Sequence, residues 1–233
     1  MSFLRRLWGA FFDPGKTFQG LAARPLWVDA LAVVLVGYAA FNFLVFPLAQ
    51  KDNLSRLEDN ASRLTEKYGA EQYAAAVSRI KDQSRALSSF VMNPSSFLIG
   101  LLFSALLALG LGKAVSTHGH YLQVFSALVH ANLIDKILGN GVRLGLALAR
   151  GSTLGMSTGL PVLFPRLAAT STAFAVLNQV DFFQLWMFGL FGLGLASAFK
   201  VSVRKGLVIS FLVWLLKSAL MVGIFFLQKK FFQ

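Results

Sequence analysis

The chain contains no cysteine, which excludes a disulfide, a thiolate metal site and a cysteine nucleophile. It also lacks the sequence patterns of a nucleophile elbow, a phosphate-binding loop and a zinc-protease helix, so no enzymatic activity is expected. Acidic residues are few, 10 against 22 Lys and Arg. The resulting charge of +12 would suggest nucleic acid in a soluble protein. Here the basic residues flank apolar runs, where they serve as anchors to anionic lipid headgroups. No basic stripe with interleaved aromatics occurs outside those runs, and no nucleic-acid partner is expected. The one hint of a metal, His118-Gly119-His120, lacks a third ligand at a suitable spacing, because His130 falls within an apolar run and no carboxylate lies in the turn. Neither a metal nor a cofactor is expected.

What the chain has in quantity is apolar surface: 56% hydrophobic residues and 23 Phe, with a mean hydropathy of +0.63. That profile points to an all-α, polytopic transmembrane helical bundle. The clearest part is a hairpin. Phe182 to Phe199 carries no formal charge, a short basic turn follows (Lys200, Arg204, Lys205), and Leu207 to Leu227 is broken only by Lys217. Each run is long enough to cross a hydrocarbon core of roughly 30 Å as a helix.

Upstream, Phe3, Leu4, Leu7, Trp8, Phe11 and Phe12 share one helical face opposite Arg5 and Arg6, the pattern of a helix lying in the membrane interface. Asp13-Pro14 ends that helix and opens a second, with Asp13 as N-cap and Pro14 in the first turn. A secretory signal is not expected, because the apolar stretch is too short and no small-residue cleavage site follows. Residues 1–25 thus form an interfacial amphipathic N-terminus, with Trp27 at headgroup level and residues 26–233 as the membrane domain. Ala30 to Leu48 is the first expected span. From residue 50 to 93 the chain turns polar, yet Leu54, Leu57, Ala61, Leu64 and Tyr68, and after Gly69 the series Tyr73, Val77, Ile80, Ser84 and Leu87, recur at helical spacing. Two amphipathic helices broken at Gly69 are expected, forming an extramembrane helical hairpin whose stripe of Leu57, Leu64, Tyr68, Tyr73 and Ile80 faces a partner. A solvated loop with fraying helices is the alternative.

Asn93-Pro94 reads as the start of the second span, and Tyr121 to about Asn140 as the third and most polar. The Gly- and Pro-rich stretch 141–180 carries Gly141-x-x-x-Gly145, Gly151-x-x-x-Gly155 and Gly155-x-x-x-Gly159, weak close-packing patterns. Within it, 160–177 is expected to lie at the interface or re-enter rather than form a further span. Five spans put the N-terminus, the Lys113 turn and the Lys200 to Lys205 turn on one side, the cytoplasmic one by their short basic segments. On the other side are the hairpin, Arg143, Arg150, Arg166, Lys229 and Lys230.

Phe12-Asp13-Pro14 with Thr17-Phe18 and Pro25-Leu26-Trp27, together with Val180-Asp181-Phe182-Phe183-Gln184-Leu185-Trp186, Gly192-Leu193-Gly194-Leu195, Lys200-Val201-Ser202 and Lys205-Gly206, resembles the bacterial Yip-type (Ypt/Rab-GTPase-interacting protein) integral membrane family. The motif positions of the last hairpin are Asp181, Phe182, Trp186, Lys200 and Ser202. The resemblance implies a five-span helical protein without known enzymatic activity. It also implies partners: eukaryotic members are associated with Rab GTPases and vesicle traffic, and bacterial ones sometimes accompany ABC-type exporters. With under thirty residues before the first span, no Rab-binding cytosolic domain is expected; the 50–93 insert is not explained by the resemblance. A bacterial inner-membrane location follows, with membrane lipids and a membrane-protein partner or self-association as binding partners.

Lys217 is the sharpest single residue. As the eleventh of 21 residues in its run it is expected at mid-membrane, where a charge costs at least about 2.5 to 3.5 kcal/mol. Asp135, about 14 residues into its own span, is the expected partner, with Asn132 and Lys136 on the same face as a polar seam. A buried ion pair that sets helix register and a proton- or ligand-coupled transport site are both compatible with that pairing.

Overall fold

Five long helical rods run end to end through the molecule, and the short elements gather at their two ends. The computed structural model describes residues 2–154 and 156–232, the side chains of 228–232 excepted. The helices are α1 (Phe3–Phe12), α2 (Pro14–Ala23), α3 (Val28–Asp59), α4 (Ala61–Tyr68), α5 (Ala70–Lys81), α6 (Arg85–Leu87), α7 (Asn93–Lys113), α8 (Tyr121–Leu133), α9 (Asn140–Arg150), α10 (Thr172–Leu177), α11 (Phe182–Phe199) and α12 (Val203–Phe232). A π-helical turn, Ser88–Met92, joins α6 to α7, a second, Ile134–Gly139, joins α8 to α9, and a 3-10 turn covers Leu160–Leu163. Among the described residues the only β-type pairing is a bridge between Gly159 and Asp181.

Among the described residues four helical segments are long and apolar enough to cross a membrane: Val28–Asp59, Arg85–Lys113, Phe182–Phe199 and Val203–Leu227. The fifth rod, Tyr121 through Arg150, is continuous but more polar, and it is the centre of the bundle. Every residue from Val124 to Asp135 is buried. Around it Phe188, Phe191, Leu195 and Phe199 of α11, Leu101 and Ala105 of α7, and Phe18 and Leu21 of α2 complete the core. The outer faces carry Val36, Ile99, Phe103, Leu216 and Leu220, all exposed, as a bundle surrounded by lipid requires.

Helix α11 packs on α12 through glycine. A Cβ on Gly206 would collide with the carbonyl oxygen of Gly192 and the backbone of Ala196, so the two backbones touch. Around Gly141 and Gly145, by contrast, a Cβ would meet nothing within 4 Å. That Gly-x-x-x-Gly pattern makes no close contact, and the two patterns containing Gly155 lie outside the described residues.

Several boundaries differ from those expected. Asn93 is helical rather than a cap, because the π-turn carries the helix from Arg85 straight into α7 and places Pro94 inside a continuous rod; the Asn93 amide instead donates to Asn42 Oδ1 at 3.0 Å. Helix α3 continues past its apolar stretch to Asp59 and breaks at Asn60, and α5 ends at Lys81 before α6 opens the next rod, so the insert holds the end of α3, α4, α5 and α6 rather than two helices. The break at Gly69 is present, with φ +89° and ψ 154°, a conformation open essentially to glycine alone. Asp13 precedes Pro14 at the start of α2 but makes no side-chain cap; it pairs with Lys16 at 3.4 Å. Arg6, expected on a solvated face, is buried and ion-paired with Asp29 of α3. Helix α1 is thereby held to the bundle, with Leu4, Trp8 and Phe12 directed outward. Trp27 packs edge-on against Phe125, 5.4 Å between centroids. In residues 160–177 the helical pieces, of 4 and 6 residues, are too short to span.

Candidate functional site

Asp135, Lys136, Arg143 and Asp181 converge at the end where α11 begins. Arg143, on α9, is at the centre. Its Nη2 lies 2.8 Å from Asp135 Oδ1 and 2.9 Å from Asp181 Oδ1, Nη1 donates to Asn140 Oδ1 at 3.0 Å, and Nε donates to Thr158 Oγ1 at 3.1 Å. One guanidinium therefore ties the central rod, the 157–159 loop and the start of α11, a use that its planar fork of donors permits and an ammonium does not. Asp135 takes its second cation from the adjacent Lys136, at 2.7 Å. Asp135 and Lys136 both lie in the π-turn, and the Lys136 amine also sits over the Tyr38 and Phe97 rings at 5.4 and 5.2 Å.

Asp181 is the N-cap of α11. It accepts from the backbone N–H of Phe183 at 2.9 Å and of Gln184 at 3.1 Å, and from Thr158 Oγ1 at 2.5 Å. A carboxylate at a helix N-terminus is stabilised by the orphan N–H groups and the helix dipole. Gly159 approaches so closely that a Cβ there would lie 2.9 Å from the Val180 carbonyl oxygen, which lets the Leu160 N–H reach that carbonyl at 3.0 Å. Two carboxylates and two cations, Asp135, Asp181, Lys136 and Arg143, thus neutralise one another.

Lys217 is not part of this exchange. Among the described residues no carboxylate comes within 4.0 Å of its amine, so the expected Asp135–Lys217 pair does not form. Asp135 is already taken by Lys136 and Arg143, and what Lys217 meets is Gln184 Oε1, at 3.5 Å. Gln184 is the third residue of α11, so Lys217 lies level with the end of that helix rather than at its middle. The offset arises because α12 has 30 residues and α11 has 18, and the shared turn aligns their other ends. Trp214, whose indole donates to the Gln179 carbonyl at 3.2 Å, and half-exposed Trp186 ring the same level, as aromatic side chains do at a membrane surface. Asn132 is buried and donates to the Leu128 carbonyl at 2.8 Å.

The other motif residues have local tasks. Phe182 is exposed and stacks edge-on against Trp186 at 5.9 Å. Lys200 adopts the left-handed conformation, φ 53°, that stops α11. Ser202 opens α12, its Oγ 3.5 Å from the Lys205 N–H.

Beyond the Arg143 junction the insert stands at the same end. Neither α4 nor α5 has a buried residue, and Leu57, Leu64, Tyr68, Tyr73 and Ile80 are all half-buried. Leu57, Leu64 and Ile80 face a cleft of about 660 Å³ shared with Arg56, Arg63 and Phe225. The insert is anchored at both ends. Gln50 Nε2 donates to the Ile80 carbonyl at 2.7 Å, and Arg85 donates to the Phe43 carbonyl at 2.9 Å while its guanidinium covers the Phe43 ring at 3.6 Å.

The Yip1 domain family model matches residues 8–225. The chain belongs to the Yip1 family. No curated protein and no solved structure matches it. The matched region of this Yip1-family chain begins within α1 and ends within α12, and so takes in all five rods and the Arg143 junction.

Two latches of the Yip1-family chain escape sequence reading. Arg143 falls just past Asn140, where the third span is expected to end, although its spacing of eight from Asp135 places it about two turns along a helix. Asp52, one of several acidic residues of the polar insert, is buried and accepts from Ser152 Oγ at 3.0 Å and from Thr153 N and Oγ1 at 2.6 Å each. Nothing in its local sequence separates it from Asp59 or Asp82.

Proposed function

We propose that this Yip1-family chain is a non-enzymatic scaffold or accessory subunit of a bacterial inner membrane, which binds a membrane-protein partner through its hairpin. The observation that carries this reading is the state of α4 and α5: 8 and 12 residues long, they have no buried residue of their own. Helices that short are marginal in water unless an apolar face is packed. The stripe of Leu57, Leu64, Tyr68, Tyr73 and Ile80 is the face left for a partner, and an ABC-type exporter component is the partner class that the family resemblance suggests. The basic short segments put the N-terminus in the cytoplasm and the hairpin outside. With Asp135 committed to Lys136 and Arg143, a transport cycle built on an Asp135–Lys217 pair has no geometric support.

The test replaces residues 61–81 alone with a flexible linker, because Asp52 and Arg85 anchor the flanks. After mild crosslinking in membranes and affinity purification, a stoichiometric membrane-protein partner is expected with the intact chain and absent with the linker variant. Identical recoveries from both folded proteins would refute the reading.

A further inference from the structure

The amine of Lys217 opens onto a crevice of about 280 Å³ between α7, α8, α11 and α12. Its floor is buried and apolar: Leu101, Leu128, Phe188 and Val213 are each under 5% exposed. Its rim faces outward, where Phe103, Leu216, Leu220 and Met221 are exposed. The crevice therefore opens to the side, toward the lipid.

Its polarity is graded along its length. Lys217, Asn132 and Ser96 line the end nearest the hairpin. Toward the opposite end the lining becomes Leu107, Leu128 and Val213, with Ser104 returning its hydroxyl to the Gly100 carbonyl at 2.7 Å. From Ser96 to Leu107 the groove follows α7 for roughly 16 Å. Within the bundle Lys136, Arg143 and Arg6 are each paired with a carboxylate; Lys217 has the amide oxygen of Gln184 and, at 5.9 Å, the Phe188 ring. A cation at the level where α11 begins, above an apolar groove open to lipid, matches an amphiphile with an acidic head and a hydrocarbon tail.

We infer that this crevice is a binding site for an anionic phospholipid of the hairpin-side leaflet, its phosphate at Lys217 and one acyl chain lying along α7 toward Leu107. The phosphate supplies the counter-charge that Asp135 does not. Specificity for the acidic lipid comes from Lys217, and the length of chain admitted comes from the groove. A carboxylate from a second copy of the chain would satisfy the same amine, and the experiment distinguishes the two.

The full chain is reconstituted in phosphatidylcholine vesicles carrying a small fraction of either phosphatidylglycerol or phosphatidylcholine with a photoactivatable diazirine in the acyl chain, irradiated, and its labelled peptides mapped. Label from phosphatidylglycerol is expected to concentrate on 96–107 and 213–221 and to exceed that from phosphatidylcholine. Lys217→Met is expected to lower it by about fivefold, the worth of one basic residue near a charged membrane surface, and Lys217→Arg to retain it. Gly100→Phe provides a second route if Lys217→Met does not fold: a side chain there enters open space, fills the groove, and is expected to remove the label with Lys217 intact. Equal labelling by the two lipids, no change in either variant, or crosslinks joining two copies through these peptides would overturn the inference.

Discussion

Arg143 holds two carboxylates from separate parts of the chain with a side chain that is 12% exposed, against 4% and 5% for Asp135 and Asp181. A junction buried to that degree has little net worth over an apolar replacement of all its members, but removing one partner strands the others. Arg143→Met leaves Asp181 without a cation and Asp135 with Lys136 alone, and is expected to cost about 3 to 5 kcal/mol, read as a lower thermal midpoint in detergent. Arg143→Lys recovers less than half of the loss, because one ammonium cannot reach Asp135, Asp181, Asn140 and Thr158 together. The double variant Arg143→Met/Asp181→Asn is expected to be more stable than Arg143→Met. The two kinds of glycine differ in the same concrete way. Gly206→Ala forces α11 and α12 apart, an overpacking worth about 1 to 3 kcal/mol. Gly141→Ala, in open space within α9, is neutral or stabilises by about 0.5 to 1 kcal/mol through reduced backbone entropy of the unfolded chain. Thermal unfolding of the two variants side by side decides whether helix contact, and not glycine content, governs the effect.

At the scale of elements, the hairpin is governed by one backbone position. Gly69 links α4 to α5 at φ +89° and ψ 154°, and an alanine there costs about 1 to 3 kcal/mol of strain. Gly69→Ala is expected to raise hydrogen exchange throughout 61–81 while leaving α8 and α11 protected, since those helices draw their stability from the core and not from the hairpin. Exchange unchanged in the hairpin would mean that α4 and α5 do not depend on that turn. The turn at Gly69, the Asp13-Pro14 step between α1 and α2 and the two apolar runs of the last hairpin were legible in the sequence, because each depends on residues close together in the chain, whereas the breaks at Asn60 and after Lys81 were not. Nor were the π-turns. No proline lies within those at Ile134–Gly139 and Ser88–Met92, and the first of them carries Asp135 and Lys136.

The whole molecule places its ends on opposite sides of the bundle. Gln123 reaches the Ala22 carbonyl at 2.6 Å and Ser116 the Phe199 carbonyl at 2.6 Å, which gathers α2, the turn before α8 and the end of α11 at one end. Asp52, Arg143 and the hairpin gather at the other. The absence of cysteine makes this directly measurable. Single replacements Thr117→Cys and Lys205→Cys, both at exposed sites, are expected to react with an impermeant thiol reagent from one side of the membrane, and Glu66→Cys and Arg166→Cys, also exposed, only from the other. Labelling of Thr117→Cys and Glu66→Cys from the same side would overturn the alternation of the five rods.

By itself the sequence determined that this protein is a helical bundle of the membrane and the family to which it belongs. Those properties rest on composition and on contacts within a few turns. Which charges meet was decided only by the tertiary structure. Asp135 had two cations within reach of its own rod, Lys136 and Arg143, and the packing of α11 against the Ile134–Gly139 turn brought Asp181 to Arg143 as well. The unequal lengths of α11 and α12 set Lys217 level with Gln184, away from every carboxylate among the described residues. Ion pairing in a bundle depends on the rotation and offset of whole helices, and no local stretch of sequence encodes either.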